Sequence, residues 1–422
     1  MIGPVDLVEG IGMAIVKHCG GIPLAIAVMW GTLRGKNLQY WILIQRKLQN
    51  RLRPEFPGSE LPHVLDVCYN ELPCHLKPCF LYLGLFPMDR AIALEKLYLL
   101  WMAEGLITSA SMRDINDKAR IEVCEYYFNE LFERSLVMMV NGEEEEEDVK
   151  RFESCLQVHD TIHNLCRMKA SEGEFLEVTT PGDDDAVPRR VAICLNKFED
   201  RNVDVSIDAK RIRTLVFFED DDQFLQNPTW PGAFSDLKEF KGMRVLDFEG
   251  VDFRVRKLPA GVEKLFYLRH LSFNGCYLLE LPSYLSNFRL LETLDLRKGS
   301  QLVSALLGKL PNLRSLVLCN DAFVGTEMVC DEEDFPKLRN LKLATLQFLE
   351  DWEVGRGAMP CLTVLTIQQC EKLEMLPNEL AKIPTFKRLR IIGLMSRGLR
   401  YKIDHLVDEI RQFGNYDFTP IF

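Results

Sequence analysis

Several features are scarce or missing in this 422-residue chain, and each removes a class of function. Its thirteen cysteines are an odd number and form no close CxxC pair or Cys/His run, so they read as reduced, mostly buried thiols and offer no structural zinc site. No apolar stretch approaches the roughly 20 residues of a membrane-spanning helix; the best, Ile22 to Trp30, has the length of a core helix. Cations are outnumbered, with 51 Lys and Arg against 62 Asp and Glu, and the net charge of -11 argues against a general grip on nucleic acid or anionic lipid. The opening MIGPVDLVEG has acids and no basic segment before an apolar one, unlike a secretory signal, so a cytoplasmic location is expected. A phosphate-cradling GxxxxGK followed by Ser or Thr is missing too: the Gly-Lys pairs Gly35-Lys36 and Gly308-Lys309 precede Asn and Leu. Such a loop works by aiming backbone N–H groups and a lysine at the phosphates, and nothing in this sequence replaces it.

What is present is ordinary globular composition, 47% hydrophobic and 27% charged, in a length that calls for two or three structural units. From Leu7 to about Lys47 the apolar residues fall at helical spacing, broken by Gly20, Gly21 and Pro23, which predicts two short helices. The Pro- and Arg-rich RLRPEFPGSELP marks a connection near residues 50 to 60. Beyond it the pattern predicts helices at Leu72–Phe86, Leu94–Glu104 and Asp117–Ser135, short strands at Val137–Val140 and Cys155–Val158, and a helix after Asp160. Three helices and a hairpin tipped by GEEEEED make the pattern of a winged-helix domain.

After the linker PGDDDAVPRR, Pro181 to Arg190, the sequence becomes repetitive. Apolar LxxLxL triplets centre on Val191, Leu215, Leu246, Leu271, Leu294, Leu316, Leu341, Leu365 and Leu389, at intervals of 24, 31, 25, 23, 22, 25, 24 and 24. All but one lie within the period of leucine-rich repeats, about 20 to 29 residues. Each repeat is expected to alternate buried and exposed side chains along its strand, with the leucines packing on neighbouring repeats. The segments KLPAGVEKLFYL and ELPSYLSNFRLL suit irregular returns on an outer face, giving a horseshoe, and the long interval holds an insertion, EDDDQFLQNPTWPG, expected to loop out at a rim.

Four motifs carry a resemblance to a known family. CGGIPLAIAVMWGTL, Cys19 to Leu33, is similar to the GLPL motif of plant NB-ARC leucine-rich-repeat disease-resistance proteins of the coiled-coil class; CFLYLGLFPMDRAI, Cys79 to Ile92, resembles that family's fourth conserved block, and YLLWMAEGLI, Tyr98 to Ile107, continues it. QVHDTIHNLC, Gln157 to Cys166, resembles the MHD motif with Val158 in place of Met. The resemblance implies a multidomain α+β chain: residues 1–55 as the helical end of the NB-ARC module, 56–180 as a winged-helix domain, and 181–422 as an α/β leucine-rich-repeat solenoid. It further implies that the phosphate loop and coiled coil lie outside this chain.

By the same resemblance Pro23 packs against adenine, His159 contacts the phosphate of ADP, and Asp160 caps its helix and orients His159. The residues alone give a blander account, with Pro23 opening a helix and His159 capping a turn before Asp160. LVFFEDDD, Leu215 to Asp222, superficially resembles a magnesium-holding strand end but falls in the repeat register, and Glu143 to Asp148 read as a hydrated hairpin tip. His63, His75, His163, His270 and His405 show no ligand spacing, and no nucleophilic constellation is present, so neither a metal site nor an enzyme is expected.

The family implies an ADP/ATP-dependent immune switch whose repeats sense a pathogen effector or a guarded host protein, leading to a hypersensitive response, in the cytoplasm or peripherally at the plasma membrane. It also implies an intramolecular contact with the nucleotide-binding half. Two alternatives stand beside this: a repeat scaffold or adaptor without nucleotide, and a winged-helix nucleic-acid binder. Charge disfavours the second, since the third helix sets Asp117, Glu122, Glu125, Glu130 and Glu133 against Lys118, Arg120 and Arg134.

Overall fold

The computed structural model describes residues 4–50, 61–107, 117–141, 154–173, 175, 177–178, 189–194, 209–218, 236–249, 251, 258–274, 276, 282–297, 307–320, 322–323, 325–393, 397–412 and 418–421. They fall into two compact units, one within Met1–Glu143 and Lys150–Glu177, the other beginning at Val178. Among the described residues no helix is long and apolar enough to cross a membrane.

The first unit starts with α1 (Pro4–His18), α2 (Pro23–Leu33) and α3 (Leu38–Gln49), three helices where two were expected. The extra break follows from Gly35, in the left-handed region at φ 72°, and from Asn37, whose side chain caps α3 by accepting from the Tyr40 N–H at 3.0 Å. A further helix, α4 (Leu61–Asn70), buries Val64, Leu65, Val67 and Cys68 and was not foreseen. The expected Leu72–Phe86 helix is shorter: Pro73 precedes it, α5 runs Leu76–Tyr82, and a 3-10 turn over Leu83–Leu85 finishes it.

The winged helix follows as β1 (Ile92–Ala93), α6 (Leu94–Glu104), α7 (Asp117–Glu133), β2 (Met138–Asn141) and β3 (Ser154–Gln157). Gly105 terminates α6 at φ 78°, letting the Leu106 N–H reach the Trp101 carbonyl at 3.0 Å. The hairpin β2–β3 gains a third strand, since Ile92 and Ala93 pair antiparallel with Leu156 and Cys155. Helix α8 (Asp160–Glu172) leaves the hairpin and packs on α4 and α5 through Ile162, Leu165 and Cys166. The acidic run Glu143 to Asp148 lies outside the described residues.

The second unit is a parallel-strand solenoid. One eleven-stranded sheet runs in chain order through β4 (Glu177–Val178), β5 (Arg190–Cys194), β6 (Thr214–Phe218), β7 (Val245–Asp247), β8 (His270–Ser272), β9 (Thr293–Arg297), β10 (Ser315–Cys319), β12 (Asn340–Ala344), β14 (Val364–Gln368), β15 (Arg388–Ile392) and β16 (Thr419–Ile421). All nine central positions named above lie opposite one another in register. The 31-residue interval does not disturb this, because Leu215 still faces Leu246. Glu219 to Gly232, its acidic insertion, lies outside the described residues, as does most of the linker at Pro181.

Inside the stack Leu215, Leu246, Leu271, Leu294, Leu316, Leu341, Leu365 and Leu389 are buried in one continuous core. Each fully buried leucine contributes about 1.5–3 kcal/mol, a gain available only because a neighbouring repeat covers it. Phe217, Phe248 and Phe273 stack face to face one repeat apart, with ring centroids 5.7 and 5.6 Å apart. Three-residue and five-residue 3-10 turns at Val262–Lys264, Ser283–Asn287 and Asn378–Lys382 form returns between strands. A second, two-stranded parallel sheet joins β11 (Glu327–Cys330) to β13 (Asp351–Val354), and α9 (Arg397–Gln412) buries Leu399, Ile403, Leu406, Val407 and Ile410 in the same core.

The expected alternation of buried and exposed side chains holds only in part. Strands β12 and β14 alternate, but every residue of β6, β7, β8 and β10 is buried. On β6 and β10 the outward positions are apolar apart from the buried hydroxyls of Thr214 and Ser315: Val216, Phe218, Val317 and Cys319, of which the last two form a small separate cluster with Ala344. Such strands are continuous hydrophobic runs of the kind found where both sheet faces are covered.

Candidate functional site

The sequence-predicted site residues divide between two elements of the first unit. Pro23 is the first residue of α2, after Gly20 and Gly21 at φ 61° and 71°, two glycines that turn the chain back on itself. A proline costs nothing there, since the first turn leaves its N–H unused. Pro23 is exposed, and its helix is held by Ala25, Val28, Met29, Thr32 and Leu33. Gly31 allows a close approach: a Cβ there would stand 2.4 Å from Arg134 Cα. Helix α4 packs against both α2 and α8.

His159 and Asp160 stand together at the start of α8. His159 is the N-cap, in extended backbone, and its Nδ1 accepts from the Thr161 N–H at 3.2 Å. The capping duty expected of Asp160 therefore belongs to His159, while Asp160 is the first helical residue, where a carboxylate suits the positive end of the helix dipole. With Nδ1 accepting, the neutral ring carries its proton on Nε2, so exposed His159 offers a donor at a helix N-terminus.

What the sequence did not single out is the turn that these residues hold. Phe86 to Asp89, the FPMD of the fourth conserved block, is clamped at two points, to the end of β3 and to α8. Gln157 Nε2 donates to the Asp89 carbonyl at 3.2 Å, and His163 Nε2 lies 2.8 Å from the Phe86 carbonyl. The Asp89 carboxyl faces that of Asp160, whose proximity and charge raise it above its ordinary value. Asp89 adopts a left-handed backbone at φ 62°, a conformation unusual for a residue with a side chain. His163 is buried, and burial lowers its imidazole from the usual value, partly offset by the Phe86 carbonyl. Two motifs 70 residues apart in sequence thus form one contact.

No other sequence-flagged group joins this cluster. Leu215 to Phe218 are strand residues of the repeat sheet, and Glu219 to Asp222 lie outside the described residues. Nine of the twelve described cysteines are buried, and burial pushes the Cys68 and Cys124 thiols up to about 12 and Cys330 up to about 11, away from reactivity.

Comparison with known proteins falls on the same segments. The family model "Disease resistance protein Winged helix domain" matches residues 85–166, from the clamped turn through the first turns of α8. Probable disease resistance protein RXW24L of Arabidopsis thaliana is 33% identical over 298 residues, 68% of this chain and 32% of its own length. Probable disease resistance protein RF9 of the same plant is 30% identical over 350 residues, covering 79% of this chain and 32% of its own. Disease resistance RPP8-like protein 3, also of Arabidopsis thaliana, is 24% identical over 583 residues, covering 97% of this chain and 61% of its own. The chain thus spans between about a third and three fifths of the length of these relatives.

Proposed function

Because the chain belongs to the plant NB-ARC leucine-rich-repeat disease-resistance proteins, we propose that it is the switch-and-sensor part of a plant defence receptor. In this reading the first unit divides near residue 55 into a helical NB-ARC end and a winged helix, the winged helix ends near residue 180, and the repeats sense a pathogen effector or a guarded host protein. The observation that carries it is the clamp between the Phe86–Asp89 turn and the residues flanking His159, whose ring caps the N-terminus of α8 by accepting from the Thr161 N–H.

The residues fit a nucleotide phosphate. An imidazole N–H beside the first free backbone N–H groups of a helix is an anion-binding arrangement. Pro23 would lie against adenine and His159 would donate to a phosphate oxygen of ADP; the nucleotide supplies the difference between a closed and an open state. His159 then acts by favouring the closed state, and the repeats influence the equilibrium only by binding one state more tightly than the other.

The test is to co-express the chain with the nucleotide-binding half of RXW24L and measure ADP retained through purification. Loss of one hydrogen bond to a charged group is worth about 1.5–3 kcal/mol, so His159→Ala should cut retention about tenfold or more and cause cell death in leaf tissue without an elicitor. Unchanged retention and no cell death would remove His159 from the switch. No ADP carried by either version would leave the repeat scaffold without nucleotide as the better account.

A further inference from the structure

The second, two-stranded sheet of the solenoid turns a face to solvent that the fold does not account for. Strands β11 and β13 both alternate, and their inward residues Met328, Cys330, Trp352 and Val354 lie in the same core as the leucine column. Their outward residues are Glu327, Val329, Asp351 and Glu353, all four exposed. The parallel register sets Glu327 directly beside Asp351, and Val329 beside Glu353. Like charges opposite one another on neighbouring strands, about 4.8 Å apart, destabilise a sheet.

These acids are not compensated. None of the Glu327, Asp351 and Glu353 side chains makes an ion pair or a hydrogen bond among the described residues. The nearby lysines are engaged elsewhere: Lys372 stands 3.9 Å from Glu350 and 5.5 Å from the centre of the Phe348 ring, and Lys309 stands 2.6 Å from Asp334. From Glu327 to Asp334 and from Glu350 to Arg356 the sequence sets eight carboxylates against Arg356 alone, so the local field stays negative after both lysines are counted.

Apolar side chains are exposed among them. Val329 is 53% exposed, a high value for a β-branched residue in the middle of a sheet face. Past β13 the Glu374 N–H reaches the Glu350 carbonyl at 3.2 Å, which extends the layer by one segment and brings in exposed Met375; exposed Phe348 lies two residues before Glu350. Apolar groups framed by acids of one sign suit a partner that is both cationic and apolar.

Other occupants fail on chemistry. Among the described residues no group of three His, Cys, Asp or Glu is placed to hold a metal ion. Nucleic-acid phosphates and anionic lipid headgroups are repelled by these acids and by the net charge of -11. A cationic polypeptide is attracted by both.

We propose that the outer face of β11 and β13 docks an extended basic segment of a partner protein. This rests on the reading of the repeats as the recognition module and names the chemistry of one thing they recognise. Alternate residues of a strand are about 6.6 Å apart, so Asp351 and Glu353 match two cations separated by one residue in an extended segment. Glu327 faces the first of these cations from the neighbouring strand, and Val329, the fourth corner, takes an apolar side chain.

The probe is a fluorescein-labelled peptide, Lys-Ser-Lys-Ser-Leu-Ser repeated twice, titrated with the full chain by fluorescence anisotropy beside a Gln-for-Lys peptide. Saturable binding of the Lys peptide, weakened at least tenfold when salt rises from about 50 to about 300 mM and at least tenfold by Glu327→Lys with Glu353→Lys, is the expected result. Glu327→Asp with Glu353→Asp should retain it. Asp404→Lys with Asp408→Lys makes the same change of net charge at exposed positions of α9 and should leave binding within about twofold. Unchanged thermal melts show that the reversals fold. Equal loss in the α9 variant, equal binding of the Gln peptide, or indifference to the reversal on β11 and β13 overturns the proposal; so does a calcium-dependent rise in melting temperature that the same reversal abolishes. Since ADP retention and His159 are read out separately, failure here leaves the switch standing, and failure of the switch leaves this face standing.

Discussion

Two stretches of one sheet, β7 to β9 and β12 to β15, share a register, a leucine core and a backbone ladder, yet they differ in every property of their outward face. The first is closed and carries Asp247 and Asp295; the second is open and carries Lys342, Arg388 and Arg390. The comparison separates two layers of information. The inward leucines determine that repeats stack and where, and the outward positions determine what each stretch of the stack can meet, with little influence of one upon the other.

The largest effect that would test this comes from placing the same side chain at equivalent positions. Ser272 and Thr366 both follow a central leucine by one residue, but only Ser272 is buried. Ser272→Glu forces a third carboxylate between the buried Asp247 and Asp295 of the closed half and should cost about 3–5 kcal/mol. Thr366→Glu, on the open half, should fall within about 0.5 kcal/mol of wild type. Urea unfolding of the two variants checks this, and equal midpoints would erase the difference between the halves.

A change in the leucine column should ignore that difference. Leu294 and Leu365 are both fully buried in the same core. Leu294→Ala and Leu365→Ala should each cost about 2–5 kcal/mol by losing transfer energy and leaving a cavity. If Leu365→Ala cost under about 1 kcal/mol, the open half would be loosely packed beneath its face, and the separation of layers would fail there.

How much of this was legible follows the same division. The nine central positions could be read because a period near 24 residues repeats and each position must be apolar. Helix α4 was hidden because Pro62 sits beside Pro54 and Pro57 and made the stretch look like a connection; its place in the first turn of α4 makes it harmless. Strand β1 is two residues long and carries no periodicity of its own. The alternation predicted for the strands failed at β7 and β8 because Asp247, His270 and Ser272 have the composition of a solvent-facing row but are buried. At the candidate site His159 and Pro23 were found by motif, whereas Asp89 was not singled out, since nothing local marks a carboxylate whose partner is Asp160.

The smallest expected contrast comes from the turns. Gly261 and Gly357, before β8 and β14 respectively, both have positive φ, at 84° and 78°, so any side chain there pays the left-handed penalty of about 1–2 kcal/mol. Their surroundings differ. A Cβ on Gly261 would stand 2.3 Å from the Lys238 backbone nitrogen, whereas one on Gly357 meets nothing within 4 Å. Gly261→Ala must therefore also push backbone aside, an overpacking cost of about 1–3 kcal/mol, and should melt well below Gly357→Ala. Scanning calorimetry of the pair decides it: equal melting temperatures would mean that the Asp236–Ala260 bridge beneath Gly261 yields freely, and that the returns of the first half are no tighter than those of the second.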